Sequence, residues 1–117
     1  MKRIYHLASC QSCQKALKFL SPDHSTQLVE IKSEGISEDA LDHMAKLSGS
    51  YESLFSRRAQ LYKQRGLASK KLTESDYRSL ILEHYTFLKR PVVVTDAHVF
   101  AGYAKATLEA AKAALAE

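Results

Sequence analysis

Hydrophobic and polar positions alternate at the start of the chain. Arg3-Ile-Tyr-His-Leu7 is rich in strand formers and leads through the small residues Ala8 and Ser9 into a helical stretch from about Ser12 to Leu20. Ala16, Leu17 and Leu20 share one face of that helix, Lys15 and Lys18 lie off it, and Ser21-Pro22 stops it. Beyond a turn region, Leu28, Val29 and Ile31 mark a second strand from Gln27 to Ile31. The opening unit therefore reads β-α-β.

From Gly35 to Tyr85 the pattern is helical, with no convincing strand. Ser37 is placed as an N-cap, Glu38 and Asp39 suit the positive end of the helix that follows, and Leu41, Met44, Ala45 and Leu47 form its apolar face before Gly49 ends it. Short helices are expected at Glu52 to Phe55 and at Ala59 to Arg65, the second closed by Gly66. Thr73-Glu-Ser-Asp76 has the form of a capping box, and it opens a helix with Tyr77, Leu80, Ile81 and His84 inward. His84 is also placed to meet the negative end of that helix. Pro91-Val-Val-Val-Thr95, a turn at Asp96-Ala97, and His98-Val-Phe-Ala101 read as a β-hairpin. Gly102 introduces an alanine-rich last helix, Ala104 to Ala116. The predicted fold is α/β: β-α-β, a helical insertion over about 35–86, then β-β-α, all within one domain. Tyr5, Phe19, Phe55 and Phe87 are the expected aromatic core.

Composition narrows the class. The chain has 117 residues, 45% hydrophobic and 26% charged, which is the profile of one globular domain with no apolar run long enough to cross a bilayer. Met1-Lys-Arg-Ile-Tyr-His lacks the apolar stretch of a secretory signal, so the expected location is cytoplasmic and the expected setting of the two cysteines is reducing. The net charge of +4 is unevenly spread. Residues 1–22 and 53–73 hold 10 of the 17 Lys and Arg residues and none of the 13 acids. Such segregation suits either an anion-binding surface or solvated helix faces.

Cys10-Gln-Ser-Cys13 stands at the strand-to-helix junction of the β-α-β unit, a placement that points to thiol redox chemistry in an intracellular protein. A thiol at a helix N-terminus meets unpaired backbone N–H groups and the positive end of the helix dipole, and both favour the thiolate. Cys10 is thus the candidate nucleophile. Cys13, about one turn further on, lies within the reach of a disulfide and is the candidate resolving thiol. A zinc site would need two further ligands, and neither a second C-x-x-C nor a paired histidine supplies them, so no metal is expected. Two ordinary thiols, one of them core, form the alternative. Lys89-Arg90-Pro91 precedes the Val92-Val-Val94 strand, where proline costs no ladder hydrogen bond. Arg90 offers a planar fork suited to an oxyanion or a thiolate.

Taken in order, Ile4-Tyr-His-Leu-Ala-Ser-Cys10-Gln-Ser-Cys13-Gln-Lys-Ala16, Leu54-Phe-Ser-Arg-Arg-Ala-Gln-Leu-Tyr-Lys63, Leu72-Thr-Glu-Ser, Leu88-Lys-Arg-Pro-Val-Val-Val94 and Gly102-Tyr103 resemble the arsenate reductase-related family over nearly the whole chain. That family includes the Spx-type transcriptional regulators and has a thioredoxin-like fold with an inserted helical segment. The resemblance implies a cis peptide at Arg90-Pro91, with Pro91 as the structural cis-proline, and a nucleophile at Cys10. It also implies an anion pocket drawing on Arg90 and on Arg57 or Arg58. In arsenate reductases a Gly-Thr-Ser-Arg-like loop follows the cysteine; here Gln11-Ser-Cys13-Gln replaces it, and Tyr103 takes the position of a third arginine.

Two functions follow as expectations. The first is a thiol-disulfide oxidoreductase acting on a small anionic or thiol substrate, either an arsenate-like oxyanion or a disulfide or glutathione adduct. It would hold no bound cofactor and would be reduced by thioredoxin or by glutathione and glutaredoxin. The second is an Spx-like redox-switched regulator that binds the RNA polymerase α subunit. No direct nucleic-acid contact is expected, because the basic run from Ser56 to Arg65 has no interleaved aromatic apart from Tyr62. No membrane partner is expected either.

Overall fold

The computed structural model describes residues 1–117, which divide into two compact units: Met1–Gly35 together with Arg90–Glu117, and Ile36–Lys89. In the first unit, strand β1 (Lys2–His6) pairs in parallel with β2 (Gln27–Glu30), with Ile4 opposite Leu28 and Tyr5 opposite Val29. A parallel pair requires a crossover, and helix α1 (Gln11–Leu20) supplies it. Strand β3 (Val92–Thr95) lies antiparallel on the other side of β1, and β4 (Val99–Ala101) lies antiparallel to β3, giving the sheet order β2-β1-β3-β4. The predicted hairpin is present. Because β3 runs against both neighbours, β1 and β4 point the same way. Helix α1 and helix α6 (Lys105–Leu115) therefore both set out from one edge of the sheet.

Ile4 and Val93 face each other across β1 and β3, and they pack with Leu20 of α1 and with Ala111 and Leu115 of α6 to form the core of this unit. Leu17, Phe100 and Leu108 flank it. Val92, Val93 and Val94 are all at most 2% exposed, the continuous burial expected of a strand enclosed on both faces. The α1 face is the predicted one, with Cys13 added to it: Cys13, Ala16 and Leu20 are buried. Phe19 departs from expectation and is 42% exposed. It lies off that face, and Lys112 fixes it by donating to the Phe19 carbonyl at 2.9 Å with the ammonium 4.8 Å from the ring centroid.

One boundary differs for a local reason. Strand β2 stops at Glu30, and Ile31 opens a single-turn helix, α2 (Ile31–Glu34), rather than ending the strand. The Glu30 carboxylate accepts the Ser33 N–H at 2.8 Å, and the Glu34 carboxylate accepts the Glu30 N–H at 2.9 Å. This reciprocal pair satisfies donors that a new helix start would leave open.

The second unit is helical, as the pattern predicts. Helix α3 (Glu38–Ser48) is capped by the Ser37 hydroxyl, α4 (Gln60–Gln64) is short, and α5 (Glu74–Glu83) opens with the Thr73–Asp76 capping box. The stretch Glu52–Leu54 is 3₁₀ rather than α, and a further 3₁₀ turn at Leu67–Ser69 carries no sequence signal of its own. Phe55 is the centre of the unit's packing: its ring lies 4.9 Å from Tyr77, 5.3 Å from Phe87 and 5.9 Å from Tyr62. Arg78 joins α5 to α3 by donating to Asp42 at 2.8 and 3.1 Å and to Glu38 at 3.2 Å. His84 does not extend the last turn of α5. Its backbone is extended at φ −149°, and its Nδ1 accepts the Thr86 N–H at 3.1 Å, so it starts the next 3₁₀ turn, Tyr85–Phe87. No helix in either unit is long and apolar enough to cross a membrane.

Candidate active site

Strand β1 ends beneath a tight turn that delivers Cys10 to the start of α1. The Cys10 N–H donates to the Leu7 carbonyl at 3.0 Å, and the Cys10 carbonyl accepts the Gln14 N–H at 3.1 Å as the first bond of the helix. The Gln14 side-chain amide donates to the same Leu7 carbonyl at 3.3 Å. From β2, the second oxygen of Glu30 accepts the Ala8 N–H at 2.8 Å. The turn is thereby held from both ends.

Cys10 is the N-cap of α1, with extended backbone at φ −92° and ψ 114°, and no side chain other than its own thiol faces the open N–H groups. The first turn also contains no carboxylate. Backbone N–H groups and the positive helix end remain available to a thiolate or an incoming anion. Both cysteines are free thiols, Cys10 half-buried and Cys13 fully buried.

The two thiols are driven apart in acidity. Desolvation raises the Cys10 pKa, but hydrogen bonds from the Cys13 N–H, the Cys13 thiol and Arg90, together with the Arg90 charge, outweigh it and bring the thiol below its ordinary value. Burial pushes Cys13 up to about 11, aided by its hydrogen bond to Cys10 and by the Cys10 negative charge. Cys10 is the more acidic of the two thiols, and Cys13 donates to it.

Arg90 reaches this position from the start of β3, through the cis Arg90–Pro91 peptide bond. The Pro91 carbonyl accepts the Gly102 N–H at 2.9 Å, so the loop before α6 is tied to the same edge. Gly102 has φ +100°, a conformation that L side chains rarely adopt, which accounts for glycine at this junction.

Of the residues expected at the site, the first unit brings together Cys10, Cys13, Arg90 and Pro91. Arg57 and Arg58 belong to the helical unit. Arg57 is already engaged there, donating to Glu52 at 2.6 Å and to the Tyr77 hydroxyl at 3.0 Å with its guanidinium 5.7 Å from the Tyr77 ring. Its pKa is raised, first by the Glu52 hydrogen bond. Arg58 is exposed in the loop before α4. Glu30, which holds the turn, is not among the residues that the sequence pattern singles out. An acid at a strand end with a serine three residues later is the only signal it leaves. His6, which ends β1, has a buried Nδ1 without a hydrogen-bond partner. No group of three or more His, Cys, Asp or Glu side chains is gathered in a metal-binding arrangement.

A mixed four-stranded sheet, with a cysteine pair opening the helix after β1 and a cis-proline opening β3, defines a thioredoxin-like protein. The ArsC family profile matches residues 5–111, and the chain belongs to the ArsC family. Among similar proteins, the global transcriptional regulator Spx 2 of Bacillus cereus is 28% identical over 104 residues, covering 86% of this chain and 78% of its own. The arsenate reductase of Escherichia coli is 26% identical over 94 residues, covering 79% and 67%. An ArsC family related protein from Bacteroides fragilis superimposes with a TM-score of 0.79 at 26% identity, over 94% of this chain and 96% of that one. The fold expected from the sequence is thus the fold observed.

Proposed function

We propose that the protein is a thiol-disulfide oxidoreductase with Cys10 as nucleophile and Cys13 as resolving thiol. The observation that carries this reading is the Cys10–Cys13–Arg90 group: a half-buried, acidified thiol at an uncapped helix start, beside a buried, proton-bearing thiol and a guanidinium. With a disulfide substrate, the Cys10 thiolate attacks one sulfur, forms a mixed disulfide and expels the other as thiolate. Cys13 then loses its proton and attacks the Cys10 sulfur. The intramolecular disulfide closes, the second substrate thiolate leaves, and the substrate has gained two electrons. With an arsenate-like oxyanion, Cys10 displaces a hydroxide or water at arsenic; attack by Cys13 on the Cys10 sulfur then leaves the bonding pair on arsenic, reducing As(V) to As(III). Arg90 holds the anion or the departing thiolate.

Proton affinity changes in the useful direction along this path. Two of the influences that raise Cys13, the hydrogen bond to Cys10 and the Cys10 charge, disappear once Cys10 is covalently occupied. Cys13 becomes more acidic when its thiolate is required. The protein disulfide would be reduced by thioredoxin or by glutathione with glutaredoxin in the cytoplasm, with no bound cofactor.

A second reading is supported by Cys13 and by the Spx relative: a redox-switched regulator that binds the RNA polymerase α subunit. One set of measurements separates the two. Purified protein is incubated with arsenate, or with glutathione disulfide, together with thioredoxin or glutaredoxin recycling, and NADPH oxidation is followed. Turnover that requires Cys10 and falls in Cys13→Ser is expected of the oxidoreductase. No turnover under any combination, with capture of the α subunit only by oxidised protein, establishes the regulator instead.

A further inference from the structure

A groove of about 390 Å³ runs between α1 and the start of α6, within the size range of small-molecule sites. Its lining includes neither Cys10 nor Arg90, and it adjoins the thiol site only through Ser12, which lies between the two cysteines, and Tyr103, next to Gly102. Ala16 and Leu108 form its apolar floor, and the rings of Phe19 and Tyr103 border it. These two aromatics are 42% and 45% exposed and, with Met1 and Leu28, make up the exposed large apolar side chains. Lys112 supports Phe19 through the carbonyl and ring contacts described above, which keeps an exposed aromatic in place instead of letting it collapse onto the core.

The polar side of the groove has one sign. Lys15 and Lys105 line it, with the Ser12 hydroxyl at its α1 end, and no carboxylate lines it. A second observation concerns α6. This 11-residue helix starts at the groove with no side-chain cap and no acid in its first turn, and its first residue is Lys105. The helices α3 and α5 have both a side-chain cap and acids there. A lysine at the positive end of a helix is unfavourable by itself, and a bound anion would offset both the lysine and the open N–H groups.

We infer that this groove binds a small aromatic organic anion, a carboxylate or sulfonate whose ring lies against Phe19 and Tyr103 while its acid group meets Lys15 and Lys105. An aromatic body suits two exposed aromatic walls better than an inorganic anion does, since an inorganic anion would leave them in water. The inference does not depend on the redox reading.

The test uses 2-naphthoate as probe, with 2-naphthamide as its uncharged isostere and 2-naphthylmethylamine as its cationic counterpart, each titrated into ¹⁵N-labelled protein. Saturable shifts are expected for 2-naphthoate at the amides of Ser12–Phe19 and Tyr103–Leu108. The amide should bind at least about tenfold more weakly, and the amine should not bind measurably. Lys15→Glu with Lys105→Glu should lose at least about tenfold in affinity, and Lys15→Arg with Lys105→Arg should retain it, both with unchanged circular dichroism. Equal binding of 2-naphthoate and 2-naphthamide would overturn the proposal, as would shifts located elsewhere, no saturation, or binding unaffected by the charge-reversed variant. Binding of an acidic peptide there without the aromatic anion would also overturn it.

Discussion

The carboxylate of Glu30 accepts the backbone N–H of Ala8 at 2.8 Å, so the last residue of β2 fixes the turn from which Cys10 emerges. The other carboxylate oxygen holds Ser33 at the start of α2. One side chain therefore serves two backbone segments that are far apart in sequence, and its pKa is lowered to about 2, first by the Ala8 bond and then by the Ser33 bond.

The pH dependence of this arrangement follows from its sign. A carboxyl whose folded pKa is depressed contributes its stabilisation fully above the unfolded value of about 4.3, and loses it as pH falls through the folded value. The Ala8 amide resonance should titrate with an apparent pKa near 2. In Glu30→Gln one oxygen becomes an NH₂ group, so either Ala8 or Ser33 loses its acceptor, that titration vanishes, and amide exchange accelerates at whichever of the two faces the NH₂ group. A titration near 4.3 in the native protein would exclude the bond.

Asp42 provides a second acid-sensitive point, in the helical unit. The Arg78 hydrogen bond, followed by that from the Tyr51 hydroxyl, lowers its pKa to about 2. The tie between α3 and α5 should be complete above about pH 4 and weaken as pH falls towards 2. Acid unfolding of Asp42→Asn, followed by circular dichroism, should be flatter than that of the native chain across this interval.

Cys10 should alkylate with iodoacetamide at a pH below that of an ordinary thiol, because only the thiolate reacts. Arg90→Ala removes both a hydrogen bond and a charge that lower the pKa, so the midpoint of the rate profile should move up. Cys13→Ser also moves it, by exchanging the thiol donor for a hydroxyl. Alkylation at Cys10 and Cys13 is distinguished by peptide mass spectrometry. An Arg90→Ala profile identical to that of the native protein would remove Arg90 from the site.

Phe55, fully buried among three aromatic rings, is the position where truncation should cost most in the helical unit. Phe55→Ala is expected to destabilise by about 3–5 kcal/mol, the range for large aromatic truncations in a core. Denaturant titration measures it, and a loss below about 1 kcal/mol would contradict the packing described.

Much of this was legible from local pattern. The Thr73–Asp76 box, the Ser37 cap and the valine run of β3 each carry their structure in a few adjacent residues. The Cys10–Cys13 spacing likewise placed the thiols at a helix start. Glu30 was not legible in this way, because its partner Ala8 lies 22 residues away and nothing in either residue announces the other. Phe19 differs from the usual core aromatic of an amphipathic helix because it lies off the buried face of α1, and its contact, Lys112, is 93 residues distant. Arg57 donates to Glu52 and Tyr77, a pairing that its place in a basic run does not announce. For Glu30 and Phe19 the partners are distant in sequence, and local preference carries no trace of them.

The burial of Cys13 has a further consequence for the reverse reaction. Once the pair has closed, an external thiol can reach only the more exposed Cys10 sulfur, and attack there must expel Cys13 as the leaving group. Departure becomes slower as the pKa of the leaving thiol rises, and burial, the largest influence that raises Cys13, does not depend on a Cys10 thiolate and so persists in this step. The oxidised form would thus be kinetically long-lived, returning to the dithiol on the timescale of its reductant's visits. Under the proposed thiol chemistry, such a protein would keep a memory of the last oxidant it met.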